Sequence, residues 1–222
     1  VDDIYILHQR LKQRYPDAPL CIMGHSMGSF LTRTYLIRYP GTVKAAVIMG
    51  TGWQPRAAIT GGLALANAIA AVSGENATSE LVTELAFGSY NKLFAPNRTK
   101  VDWLSADESN VDDYIADPLC GADATVGLFR QMLHGIRFNQ RQSHLRQMDR
   151  EMPVLFVAGD KDPVGSCGKG VRQTYDAFRA AGMRDCTLKL YPGLRHEILN
   201  EKAYTADITK NIEAWLLSRL EK

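Results

Sequence analysis

The chain has 222 residues, of which 45% are hydrophobic and 23% are charged, and its formal net charge is +2. This length predicts one large domain with a substantial core rather than two or three domains of average size. Because the lysines and arginines are scattered and the net charge is small, we expect no nucleic-acid partner and no strong attraction to an anionic membrane. No feature of the sequence indicates an oligomeric state.

The cysteines and the hydropathy pattern bear on metal sites, disulfides and transmembrane segments. The four cysteines are widely spaced, without a CxxC pair or a Cys/His ladder. This spacing predicts neither a zinc site nor a dense disulfide framework, and we interpret the cysteines as reduced thiols in a cytoplasmic protein. No stretch reaches the roughly 18 to 20 uncharged apolar residues that span a bilayer, so we expect no transmembrane segment.

Helices and strands alternate in the pattern of the first fifty residues. Apolar residues recur at helical spacing up to Pro16, which ends the first helix, and Pro40 ends the second. Between them, a continuously apolar run stops at Gly24, which is typical of a strand buried on both faces of a parallel sheet. The predicted elements are a helix over 1–15, a strand over 20–23, a helix over 27–39 and a strand over 45–49. This order indicates a doubly wound α/β sheet.

The alternation breaks between about Gly52 and Glu151, where helical patterns replace strands. We interpret this region as an inserted helical cap, with helices predicted over 63–72, 80–87 and 125–138. Alternation then resumes with a strand over 154–157, a helix over 170–181, a strand over 187–191 and a last amphipathic helix from about 208 to 220. The predicted organisation is therefore a core over 1–51, a cap over 52–151 and a second part of the core over 152–222.

Residues 24–28 form a G-x-S-x-G sequence between a predicted strand and a predicted helix. In this context, a tight strand-to-helix turn exposes its central serine in strained backbone geometry, and the flanking glycines avoid collisions with neighbouring backbone. Ser26 is therefore the candidate nucleophile, and the backbone N–H of Met27 is the candidate oxyanion donor. The alternative is that Ser26 merely caps the helix. We expect His25 to pack or to line the pocket rather than to act as a base.

A serine nucleophile needs a histidine base and a carboxylate that orients it. Of the five histidines, only His196 follows the last predicted core strand, although it could instead cap the last helix. Asp160 and Asp162 both follow the strand over 154–157. We prefer Asp162 as the acid and expect Asp160 to be a turn carboxylate that accepts backbone N–H bonds. The order Ser, Asp, His along the chain is that of α/β hydrolases.

Three blocks of the sequence, residues 24–29, 159–164 and 191–201, resemble the serine hydrolases that include monoacylglycerol lipases and bacterial lysophospholipases, within the serine aminopeptidase-like α/β hydrolases. The most specific block is Tyr-Pro-Gly-Leu-Arg-His-Glu-Ile-Leu-Asn-Glu. The resemblance implies an α/β-hydrolase fold, a mostly parallel sheet with flanking helices and a helical cap. It also implies that Asp162 is the acid. Family members begin with several core strands and a His-Gly oxyanion loop, so we expect the N-terminal core strands and the second oxyanion donor to lie outside this chain.

The cap predicts the substrate class. Its apolar residues could pack the cap onto the core or line an acyl tunnel; they are Trp53, Leu63, Leu65, Ile69, Val72, Leu81, Leu85, Phe87, Phe129, Met132, Leu133 and Phe138. An apolar cap over the serine favours a fatty-acyl or other hydrophobic ester over a charged peptide, as the resemblance also implies. Seven carboxylates leave open the acidic recess that an aminopeptidase needs: Glu75, Glu80, Glu84, Asp107, Glu108, Asp112 and Asp113.

The residues taken together predict a serine hydrolase that cleaves a carboxylic ester through an acyl-enzyme, and the resemblance implies that this ester is a monoacylglycerol or a lysophospholipid. Its partner is a small-molecule ester or lipid, and the chemistry needs no metal and no organic cofactor. The alternatives are a peptidase or amidase with the same triad, an acyltransferase that differs only in its acceptor, and a hydrolase-derived binding module without turnover.

Overall fold

A computed structural model describes residues 1–221 of the chain. Its helices and strands, in chain order, are α1 (Asp2–Arg14), β1 (Cys21–His25), α2 (Met27–Arg38), β2 (Ala45–Met49), α3 (Arg56–Ser73), α4 (Glu80–Phe87), α5 (Glu108–Ala116), α6 (Val126–Asn139), α7 (Gln142–Leu145), β3 (Val154–Gly159), α8 (Lys169–Ala180), β4 (Cys186–Tyr191) and α9 (Thr205–Leu220). Two short 3-10 helices, Asn91–Phe94 and Asp102–Leu104, lie between α4 and α5.

The four described strands form one parallel sheet in the order β1-β2-β3-β4. Each strand joins the next through at least one helix, as parallel pairing requires. The two inner strands, β2 and β3, are buried along their whole length. Because all four strands run the same way, the loops that follow them meet at one edge of the sheet. The residues that follow β1, β3 and β4 therefore converge there.

Alternating side chains of β2 and β3 contribute to two cores, one on each face of the sheet. Ile48 and Phe156 pack with α2 and α8 side chains such as Leu36 and Phe178. Their neighbours along the strands pack on the other face with Ile208 and Ile212 of α9. This period of two explains why the strand sequences are apolar throughout, since both faces are covered by helices.

The predicted core elements are present, with bounds that shift by three residues at most. The expectation that β1 is buried on both faces is wrong. Within the described residues β1 pairs only with β2, and its Met23 side chain is 54% exposed. Helix α1 likewise contains no fully buried residue. Apolar runs predicted a strand and a helix correctly here, but they did not reveal which side chains have a covering neighbour.

Helices α3 to α7 form the cap between β2 and β3. Ile59 and Leu63 of α3 pack with Phe30 of α2 and Ile136 of α6, which ties the cap to the core. Helix α3 begins seven residues before its predicted start, and the sequence did not predict α5, α7 or the 3-10 helices. Among residues 1–221, α3 is the one helix whose length and composition would suffice to cross a membrane, which is weak evidence by itself. Its contacts with α2 and α6 are those of a cap helix.

Candidate active site

Ser26 lies between β1 and α2 in a strained backbone conformation, with φ 55° and ψ −121°. Its N–H donates to the Met49 carbonyl at 3.1 Å, which ties the turn to the end of β2. Its carbonyl accepts from both the N–H and the hydroxyl of Ser29, at 2.9 and 2.6 Å. These bonds hold a positive φ that serine rarely adopts, and such strain is common at functional sites.

The two glycines that flank the turn differ in function. A Cβ atom on Gly24 would lie 2.2 Å from the Gly28 carbonyl oxygen and 2.4 Å from Thr32 Oγ1, distances that no side chain tolerates. A Cβ on Gly28 would meet no atom of residues 1–221 within 4 Å. The expectation that both glycines avoid collisions therefore holds for Gly24 and is wrong for Gly28. Strand β1 and helix α2 touch at Gly24, and this contact sets the sharpness of the turn.

Asp162 and His196 meet in a buried hydrogen bond. His196 Nδ1 lies 3.0 Å from Asp162 Oδ2, and the two side chains are 3% and 0% exposed. The second carboxylate oxygen of Asp162 accepts from the Val164 N–H at 2.9 Å. One carboxylate oxygen of Asp162 thus binds the imidazole, and the other binds the backbone of its own loop. This arrangement leaves Nδ1 protonated in the neutral ring and Nε2 free to accept a proton.

Asp160 lies in the same loop, and within the described residues it makes no hydrogen bond to His196. Its Oδ1 accepts from the Gly193 N–H at 2.8 Å, which joins the loop after β3 to the loop after β4. The end of β3 touches the loop after β4 as well, since a Cβ added to Gly159 would lie 2.1 Å from the Leu194 carbonyl oxygen. Asp160 therefore accepts a backbone N–H bond, as expected of a turn carboxylate.

The imidazole of His196 is enclosed by two further rings. The His25 ring packs against the His196 ring, with the two centroids 4.6 Å apart, and His25 Nε2 lies 3.0 Å from the His196 carbonyl oxygen. Burial, followed by the nearby His196, lowers the pKa of His25, which favours the neutral ring. Trp103 lies 5.2 Å from the His196 ring. Trp103 was missed from the sequence because it follows a polar segment between two predicted cap helices.

Ser26 directly follows His25, whose ring contacts His196. Within residues 1–221, the hydroxyl of Ser26 makes no hydrogen bond to His196. Bonds between a nucleophile and its base are often long before substrate binds and tighten in the reacting complex. The structure thus joins Asp162 and His196 directly, and the third expected residue follows the histidine whose ring contacts His196.

A cavity of about 460 Å³ opens above Ser26 and Met27 between the core and the cap. Most of its lining is apolar and comes from α2, α3, α4 and α6: Phe30, Ala58, Ile59, Leu65, Val82, Leu85, Ala86, Phe87, Leu128, Phe129, Met132, Leu133 and Ile136. Ser26, Gln54, Tyr90 and Trp103 carry its polar side-chain groups. Burial, with a smaller effect of Asp162, raises the pKa of Tyr90 to about 12, so its phenol is neutral.

Ten of the twelve apolar cap residues singled out from the sequence fall into three groups, and the other two, Trp53 and Ile69, are half-buried. Six line the cavity: Leu65, Leu85, Phe87, Phe129, Met132 and Leu133. Leu63 and Phe138 pack into cores instead. Val72 and Leu81 are 88% and 55% exposed. Periodicity identified the helices but not the side of each helix that faces the cavity.

The Arg-His-Glu block after β4 fastens the cap to the site. The Arg195 guanidinium donates to the carbonyls of Asp102 and Ser105 and lies over the Phe94 ring. Glu201, six residues after Arg195 in chain order, accepts from the N–H groups of Ala106 and Asp107. The segment that carries Trp103 is therefore held by the same loop that carries His196.

Comparison with known proteins supports the fold and the class. A family model described as serine aminopeptidase S33 matches residues 1–203. The chain is 30% identical to the monoacylglycerol lipase of Mycolicibacterium smegmatis, with 99% of this chain and 70% of that protein covered. It is 26% identical to the monoglyceride lipase of Mus musculus, with 95% of this chain and 62% of that protein covered.

A solved structure of a carboxyl esterase from Bacillus coagulans superposes with a TM-score of 0.90 at 24% identity, covering 98% of this chain and 70% of the esterase. This likeness confirms the predicted fold class, a parallel sheet with flanking helices and a helical cap. The chain spans about two thirds of the length of these proteins.

Proposed function

Because the chain belongs to the serine aminopeptidase S33 family of α/β hydrolases, we propose that it is a serine hydrolase of apolar carboxylic esters, with monoacylglycerols or lysophospholipids as substrates. The observation that carries the proposal is the buried Asp162–His196 hydrogen bond beside an apolar cavity that contains Ser26. The relatives named as monoacylglycerol lipases support the substrate class.

The proposed reaction begins with attack of Ser26 Oγ on the ester carbonyl. His196 Nε2 takes the serine proton, and Asp162 holds the ring and stabilises its cationic form. The Met27 N–H stabilises the oxyanion, since the first N–H groups of a helix have no intrahelical acceptor. His196 then protonates the leaving alcohol. Water, deprotonated by the same ring, releases the fatty acid and restores the serine.

The cavity favours an acyl chain over a charged group. Its volume of about 460 Å³ lies in the range of small-molecule sites, and its walls are aliphatic and aromatic. Each buried CH₂ of an acyl chain contributes about 0.8 kcal/mol of binding. The few polar groups, Tyr90 and Gln54 among them, are available to bind an ester or an alcohol.

The same walls argue against an aminopeptidase. No carboxylate is among the cavity residues in the described part of the chain. Several of the acidic cap residues have other partners: Glu75 pairs with Arg130, Asp112 with Arg98 and Asp113 with Lys202. A substrate ammonium group would therefore enter this cavity without a counter-charge, at a high desolvation cost.

Hydrolysis rates on two substrate series test the proposal. The full-length protein should release fatty acid from monoacylglycerols and p-nitrophenol from acyl esters, and Ser26→Ala should abolish both. Aminoacyl nitroanilides should be poor substrates by comparison. Faster cleavage of nitroanilides than of esters would establish the peptidase alternative instead.

A cytoplasmic location is part of the proposal. Its support is that the four cysteines are free thiols, three of them exposed.

A further inference from the structure

Arg33 of α2 is a fully buried arginine without a carboxylate partner among the described residues. Its Nη1 donates to Thr51 Oγ1 at 3.2 Å and to the Gly52 carbonyl at 2.9 Å, while Nε and Nη2 have no hydrogen-bond partner in residues 1–221. Burial lowers the pKa of Arg33 to about 9, so the group is still charged at pH 7. A buried, unpaired cation lowers the stability of a fold, and so its presence calls for a reason other than stability.

The groups that accept from Arg33 belong to the segment between β2 and α3. Gly52 is also bound by the hydroxyl of Thr174, at 3.3 Å from its carbonyl oxygen. Two donors from different helices, α2 and α8, thus converge on one carbonyl. The ring of Trp53, the next residue, lies 6.0 Å from the guanidinium carbon of Arg33. The conformation of this segment is fixed by buried donors rather than by regular secondary structure.

This segment touches the loop that carries Asp162. A Cβ on Gly52 would lie only 2.3 Å from the Val164 carbonyl oxygen, so the two backbones are in direct contact. The N–H of the same Val164 donates to Asp162 Oδ1. The other oxygen of Asp162 is the one that meets His196. A continuous set of contacts therefore runs from Arg33 through Gly52 and Val164 to the acid of the proposed triad.

We propose that Arg33 is a positioning residue, which holds the 51–53 segment against the acid loop and thereby keeps Asp162 oriented toward His196. The proposal rests on the proposed function for its catalytic consequence, but the Asp162–His196 bond can be observed without turnover. Arg33 itself is not a cavity-lining residue, and its guanidinium carbon lies 5.5 Å from the ring centroid of Phe30, which does line the cavity. Its loss should lower kcat and leave KM nearly unchanged, because the cavity that binds the acyl chain does not include it.

The test uses Arg33→Met, which keeps the length and apolar character of the stem and removes the charge. The matched control is Arg38→Met, which removes an exposed arginine of the same helix whose partner is Asp2. We expect Arg33→Met to unfold at a temperature equal to or above that of the wild type, with kcat reduced about tenfold to a hundredfold and KM within about threefold. Arg38→Met should keep the wild-type kcat.

A second readout follows the hydrogen bond itself. A proton between His196 Nδ1 and Asp162 should give a far-downfield NMR resonance, assigned by its absence in His196→Ala. It should be lost or broadened in Arg33→Met and kept in Arg38→Met. If the wild type hydrolyses no ester, the proposed function fails while this comparison still tests Arg33.

A folded Arg33→Met with wild-type kcat and an intact resonance would overturn the proposal. The proposal would also be overturned if Arg33→Met lowered kcat, lowered the unfolding temperature and raised KM together. If Arg33→Met does not fold, Arg33→Lys and Thr51→Val decide, since each weakens the contact with little change in volume. Wild-type kcat and an intact resonance in both Arg33→Lys and Thr51→Val would also overturn the proposal.

Discussion

The contrast between Gly24 and Gly28 leads to a sharp prediction, because both belong to the same five-residue motif. Gly24→Ala places a Cβ 2.2 Å from the Gly28 carbonyl oxygen, whereas real Cβ atoms essentially never approach closer than 3.0 Å. Strand and helix must therefore separate by about 0.8 Å at the turn that carries Ser26. A misplacement on the order of 1 Å in an active site can cost about a hundredfold in rate.

The stability cost of Gly24→Ala is expected to be moderate. Overpacking of this kind typically costs about 1 to 3 kcal/mol, which a domain with a typical stability of about 5 to 15 kcal/mol survives. The variant should thus be folded and still lose about a hundredfold in kcat/KM. Gly28→Ala is the matched control: its Cβ meets no atom within 4 Å in the described part of the chain, and alanine in a helix should raise stability by up to about 1 kcal/mol.

Steady-state hydrolysis of p-nitrophenyl esters, paired with thermal unfolding, measures both effects. We expect Gly28→Ala to keep kcat/KM within about threefold of the wild type. Wild-type activity in folded Gly24→Ala, or an equal loss in both variants, would refute the argument that contact at Gly24 sets the position of Ser26.

Three further predictions concern the cavity and its surroundings. Because the Tyr90 pKa is raised from 10.0 to about 12, its contribution to stability is complete below pH 10 and is lost between pH 10 and about 12. Tyr90→Phe should therefore flatten the alkaline fall in the free energy of unfolding, and identical curves would contradict this. Ala86→Phe, which fills part of the cavity, should lower kcat/KM for dodecanoyl relative to butanoyl esters by about tenfold, whereas Phe at exposed Ala64 should not. Arg195→Met should speed hydrogen exchange in residues 94–107 and lower the free energy of unfolding by about 1.5 to 3 kcal/mol. Unchanged exchange would show that Arg195 does not hold the cap segment.

The residues that could be predicted from the sequence are those whose place follows from local pattern. Ser26 is set by a strand and a helix that meet at a turn, and each carries its own signal. Asp162 and His196 follow apolar runs that predict buried strands, and parallel strands bring their following loops to one edge. The preference for Asp162 over Asp160 came from the resemblance as well as from position, and the structure brings Asp162 to His196.

The features that could not be predicted depend on contacts between distant segments. Trp103 meets His196 because Arg195 captures two carbonyls of an irregular segment, and no periodicity marks such a segment. Arg33 looks in the sequence like a solvated helix residue, yet it is buried where α2 meets the segment after β2. Exposed Met23 is the reverse case, an apolar residue without a covering neighbour in the described chain.

The central claim is that Ser26 is a nucleophile activated by His196, and reaction with a fluorophosphonate probe tests it most directly. The full-length protein should gain the mass of one probe, and peptide mapping should locate it on Ser26. Ser26→Ala should not react, and His196→Gln should react far more slowly. Absence of labelling in folded wild-type protein, or labelling at another residue, would contradict the account.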